Sequence, residues 1–123
     1  MADKKERPKL PAAITIGISN SAEDFQNKVL RPIIKMQSEL LLAHVHSKFP
    51  VLNINFQSLD LLKQKAVLEK LFSKDQAFKR EIIGMVIGHF SLAEYHSYQE
   101  ISKELNRRIT QIVHNRCLDF LLK

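Results

Sequence analysis

The chain has 123 residues, 45% of them hydrophobic and 26% charged, with a formal net charge of +6. That is one ordinary globular domain, long enough to bury a core without disulfides or a structural metal. Cys117 is the single cysteine, so an intrachain disulfide is excluded, and no apolar run reaches the length needed to span a bilayer.

The basic balance raises nucleic acid as a partner. The excess is +2 over residues 1–20 and +1 in each of 21–50, 51–73, 74–90 and 91–123. A nucleic-acid surface clusters its lysines and arginines, whereas this excess is spread evenly. Lys4, Lys5, Arg7 and Lys9 are not followed by the apolar stretch of a signal peptide, because Pro8 and Pro11 interrupt it. A cytoplasmic protein is expected.

Residues 1–20 read as a flexible or extended N-terminal arm, and residues 21–123 as a single helical domain. Ile14, Ile16 and Ile18 alternate like a strand with no sheet to join, so an extended segment is expected there. Ser21 opens the first helix, with Glu23 and Asp24 in its first turn. Phe25, Val29, Ile33, Met36, Leu40 and Ala43 form one helical stripe, and Leu30, Ile34, Leu41 and Val45 a second beside it. Pro32 lies inside this pattern and predicts one kinked helix.

Pro50 ends that helix within a residue or two. Val51, Leu52, Ile54 and Phe56 then form a connector expected to tuck over one end of the core. Ser58 is the expected cap of the second helix, with Leu59, Leu62, Ala66, Leu68, Leu71 and Phe72 inward and Leu68 slightly off register. The spacing of Ser73 and Gln76 predicts a capping box for a third helix, which carries Phe78, Ile82, Met85, Val86 and His89. Gly84 is expected to admit a close neighbour, and Gly88 to end the helix as its C′ residue.

Ser91 and Glu94 have capping-box spacing, with Phe90 and Tyr95 placed as a hydrophobic staple. The fourth helix should run unbroken from Leu92 towards Lys123, since no Gly or Pro follows Gly88. Tyr95, Tyr98, Ile101, Leu105, Ile109, Ile112, Val113, Cys117, Phe120 and Leu121 form its stripe. The expected fold is all-α and four-helix-bundle-like, with a kinked first helix, a long C-terminal helix and an N-terminal arm.

Three candidate surfaces follow. Leu118, Phe120, Leu121 and Leu122 make the chain end apolar, which points to a homo-oligomer formed through the last helix. Lys103, Arg107, Arg108 and Arg116 form the densest basic stretch and are the candidate nucleic-acid contacts. The start of the last helix is acidic and aromatic, unlike the base-reading end of a recognition helix. His89, Tyr95, His96 and Glu100 form the one polar cluster from which an enzyme site could be built. No glutamate has a histidine three residues on, so the di-iron bundle signature is missing. Zincin, Cys-x-x-Cys, P-loop and nucleophile-elbow patterns are also missing, and no cofactor or metal is expected.

Residues 25–42, the Phe78–Tyr98 stretch with Gly84-Met-Val-Ile-Gly-His-Phe-Ser-Leu-Ala-Glu-Tyr95, and Leu105-Asn-Arg-Arg-Ile109 resemble a family of small all-helical uncharacterised bacterial proteins. Some of these carry an automatic "glyoxalase" label. The resemblance implies a helical fold with a kinked helix, a turn and a cap, and it brings no established activity. Glyoxalase I-type enzymes are built on βαβββ units with His and Glu ligands on strands, and strand patterning is almost missing here.

Overall fold

A computed structural model describes residues 21–122. The N-terminal arm and Lys123 lie outside the described residues. Within them the chain is all-α, and no strand occurs among the described residues. The elements are α1 (Ser21–Phe25), a π turn (Gln26–Leu30), α2 (Arg31–Met36), α3 (Ser38–Val51), a 3-10 turn (Phe56–Ser58), α4 (Leu61–Lys74), α5 (Gln76–Ile87), α6 (Leu92–Glu100) and α7 (Ser102–Phe120).

The first helical run, α1 to α3, is interrupted twice. Arg31 N–H donates to the Gln26 carbonyl, five residues back, just before Pro32. The wider turn makes room for the proline ring, which would otherwise strike the preceding turn. Leu30 and Arg31 keep helical backbone angles, so the run continues through Pro32 as expected. At Gln37 the backbone departs from helix (φ −98°, ψ 16°), while Gln37 N–H still reaches the Ile33 carbonyl and Leu41 N–H the Gln37 carbonyl. These two interruptions decide which stripe is buried. Phe25, Val29 and Ile33 are buried before Gln37, but beyond it the buried line is Leu41, Val45 and Phe49. Leu40 and Ala43, expected inward, face solvent.

α3 stops at Val51, one residue past Pro50 as expected, and closes in a Schellman turn. Ile54 N–H donates to the Phe49 carbonyl at 2.8 Å and Asn53 N–H to the Pro50 carbonyl at 3.0 Å. Asn53 takes the left-handed conformation (φ 60°), which asparagine tolerates better than other non-glycine residues. The connector that follows is only partly tucked. Phe56 is buried and stacks on Phe49, with ring centroids 4.3 Å apart, whereas Val51 and Leu52 face solvent.

Asp60, not Ser58, caps α4: its carboxylate accepts Lys63 N–H at 2.9 Å, and the Ser58 hydroxyl bonds back to the Asn55 carbonyl. The helix thus starts two residues later than expected, and its inward face differs from the expected one. Leu68 belongs to the core, and Leu62 is 78% exposed. Gln64 is completely buried and donates to the Phe56 carbonyl at 2.9 Å, tying the connector to α4. Asp75 likewise displaces Ser73 as the cap of α5, accepting Phe78 N–H at 3.0 Å. Gly84 has open space where a Cβ would stand, so no neighbour approaches it. Gly88 ends α5 as expected, though as its C-cap and with right-handed angles (φ −57°).

The capping box at Ser91 is present: Glu94 N–H reaches the hydroxyl at 3.1 Å, and the Glu94 carboxylate accepts Ser91 N–H at 2.8 Å. Phe90 packs edge-on against Phe25 and Tyr98, each centroid 5.5 Å away, while Tyr95 is exposed. The expected single long helix breaks at Ile101 (φ −135°, ψ 39°). The Tyr98 hydroxyl donates to the Asn106 side-chain oxygen at 2.6 Å and splints the break. α7 then lies at the centre, in contact with the π turn, α2, α3, α4, α5 and α6. Leu105, Ile109, Val113 and Cys117 are its buried line.

Gln64→Leu should lower stability by about 1–2 kcal/mol, because a buried hydrogen bond is lost without a replacement donor. Leu62→Ala, on the exposed side of the same helix, should change it by less than about 0.5 kcal/mol. Urea denaturation of the two variants checks both values.

Candidate interaction groove

The Schellman turn at Asn53 sends Leu52 and Ile54 over the side of α4. Between them and the helix runs a trough. One section, of about 720 Å³, is lined by Leu52, Ile54, Val67, Lys70, Leu71 and Lys74, and closes against Asp75 and Gln76 where α4 meets α5. A second section, of about 420 Å³, continues past Ile54 and Val67 to Leu59, Lys63 and Ala66. The floor is aliphatic and the rim carries lysine ammonium groups.

Helical spacing explains the arrangement. Lys63, Val67, Lys70 and Lys74 recur at intervals of four, three and four, so they share one face of α4. The core face carries Gln64, Leu68 and Leu71. Among the described residues no carboxylate pairs with Lys63, Lys70 or Lys74. Asp60 is engaged as the cap of α4, and Glu69, the remaining acid of the helix, forms no ion pair with any of the three lysines. A segment with near-balanced charge therefore presents an unbalanced cationic edge. Counting charge along the chain could not find it; plotting α4 as a helix with the Asp60 cap would have.

The basic stretch of α7 is differently disposed. The Glu104 carboxylate holds Arg107 and Arg108, each at 2.7 Å, and these two guanidinium groups pull its pKa down to about 2. Arg107 also donates to Gln111. Arg108 reaches Gln26 at 3.0 Å and Arg116 reaches the Ser38 hydroxyl at 2.8 Å, so both fasten α7 to the first helical run. Lys103 alone of the four candidate cations extends from the surface without a partner among the described residues.

His89, Tyr95, His96 and Glu100 do not converge on a cavity. Tyr95, His96 and Glu100 are exposed on α6, and no hydrogen bond or ion pair joins His96 to Glu100. Tyr95 stacks loosely on Tyr98 with centroids 6.0 Å apart. The histidines elsewhere have structural contacts. His44 bonds Glu81 at 2.8 Å and stacks on Phe78, Lys48 reaches the same carboxylate, and together they tie α3 to α5. His114 stacks on Phe72 at 4.8 Å, and burial lowers its pKa. Among the described residues no group of three or more His, Cys, Asp or Glu side chains could hold a metal ion.

At the chain end, Leu118, Leu121 and Leu122 pack against the core, which leaves Phe120 as the strongly exposed member at 62%. The Arg116 guanidinium lies 5.5 Å from the centre of its ring. Cys117 is fully buried, and burial pushes its thiol up to about 12.

Two measurements check these electrostatics. Glu104 has a depressed folded-state pKa, so its stabilising effect is complete above the ordinary carboxylate value of about 4.5 and fades as the pH falls through about 2. Glu104→Gln should therefore lower the denaturation midpoint at pH 7, and the difference from the parent should close between those two pH values. Cys117 should resist iodoacetamide at pH 8 in the folded protein and react once urea unfolds it; alkylation followed by mass spectrometry reads this directly.

No family model, curated protein or solved structure matches this chain, so its function has to be read from its own side chains.

Proposed function

We propose that this chain is a small helical interaction module that docks a second polypeptide in the trough between α4 and the connector. The observation that carries this reading is the trough itself: an aliphatic floor left open to solvent beside a helix whose other face is core. Grooves of this kind accept an amphipathic helix laid along them. The polar residues on α6 give an enzyme reading little support, since general acid–base chemistry needs its groups to meet around one substrate position. Nucleic-acid binding through α7 is weakened by the internal work of Arg107, Arg108 and Arg116. No helix among the described residues is long and apolar enough to cross a membrane, which suits the cytoplasmic setting we assign to the module. The resemblance to glyoxalase-labelled helical proteins adds no chemistry to this reading.

A second reading, self-association through the last helix, is favoured by the exposure of Phe120. Phe120→Asp and Val67→Asp separate the two. In size exclusion with light scattering, a dimer that Phe120→Asp alone dissociates assigns self-association to the chain end. A photo-crosslinking residue placed at Ala66 should give a discrete adduct with another polypeptide in the native host, and Val67→Asp should abolish it. Adducts that persist in Val67→Asp, or that form equally from Asn115 on α7, would remove the trough as the docking site.

A further inference from the structure

Resting on the interaction reading, we propose that the partner segment is an acidic amphipathic helix, held by its aliphatic face in the trough and by its carboxylates along the lysine rim of α4. The length of the rim argues for a helix. Lys63 and Lys74 are eleven residues apart on one face, which at about 1.5 Å per residue is about 16 Å, or three turns of a partner helix. The rim spacing of seven and four residues is itself a helical repeat, so a helix lying alongside can offer carboxylates at matching heights.

The floor argues for apolar anchors. Leu52, Ile54 and Val67 are aliphatic, with Leu71 beneath, and they present no aromatic ring on which a base could stack. The rim argues for acid. Lys63, Lys70 and Lys74 have no carboxylate partner among the described residues, unlike Arg107 and Arg108 of α7. Asp75 is the one carboxylate in the lining, and it is occupied with Phe78 N–H as the cap of α5. A second copy of this chain is a poor electrostatic match, because it brings its own net charge of +6.

The test is a selection. A phage-displayed library of random 20-residue peptides is panned on the immobilised full chain, with Val67→Asp protein as the counter-selection. Peptides that bind the parent and not Val67→Asp should be net negative with apolar residues three and four apart. As synthetic peptides they should bind the Lys70→Glu, Lys74→Glu double variant at least tenfold more weakly and lose affinity as salt rises. Circular dichroism verifies that each variant is folded; should Val67→Asp unfold, Ala66→Arg on the exposed edge replaces it.

Neutral or basic peptides that still depend on Val67 would overturn the acidic partner and leave the docking trough standing. Peptides that bind Val67→Asp equally well, or no enrichment at all, would overturn both. Single-stranded and duplex oligonucleotides are titrated alongside. Binding that the double lysine variant abolishes, with no peptide enriched, would give the rim to phosphate and overturn the peptide assignment.

Discussion

Most of the fold is arranged by the need to cover α7. Its buried line, Leu105, Ile109, Val113 and Cys117, advances four residues at a time. A helix turns about 100° per residue, so each such step overshoots a full turn by about 40°. From Leu105 to Cys117 the line winds by about 120° around the helix. One flat neighbour cannot cover a winding line, and α2, α3, α4, α5 and α6 each contact it. Truncation within such a line costs about 2–5 kcal/mol per large side chain, against which most single surface contacts are small. The polar links are subordinate to this. Arg108 to Gln26 and Arg116 to Ser38 fasten the first helical run to α7 beside that buried line.

The charges divide into two populations with different consequences. On α7 and the first run, several cations are matched internally: Lys28 with Asp24, Arg107 and Arg108 with Glu104, and Arg116 with a hydroxyl and a ring. On α4 they are unmatched along one edge. The mismatch follows from two caps. Asp60 and Asp75 each spend a carboxylate on a backbone N–H at a helix start, and Glu69, the acid between them, forms no ion pair with Lys63, Lys70 or Lys74.

Element type was legible in the sequence because it rests on local patterns: the 3.6-residue period, the Ser91–Glu94 box and the apolar stripe of the last helix. Register was less legible where two capping residues compete. Ser58 and Asp60 are both good caps, and a helix counted from the serine puts Leu62 inward; the helix that starts after Asp60 exposes Leu62 and buries Gln64. The break at Ile101 has no local signal, since isoleucine neither ends helices nor favours turns. It is tertiary: Tyr98 is held by Phe90 on one side and Asn106 on the other. The trough was illegible for a further reason. Its floor comes from two separated segments, and they meet only because Asn53 reverses the chain in a left-handed turn that many residues would resist.

The bond between buried Gln64 and the Phe56 carbonyl has a consequence beyond stability. It fastens the connector forming one wall of the trough to the helix forming the other. With Asn53 closing the turn above it, that wall has little freedom left to lose. In the docking we propose, the ordering cost therefore falls almost entirely on the incoming segment. Two partners with identical contact residues would then be ranked by how readily each folds into a helix before arrival, and selection on the partner would act on its exposed, non-contacting positions as strongly as on its anchors.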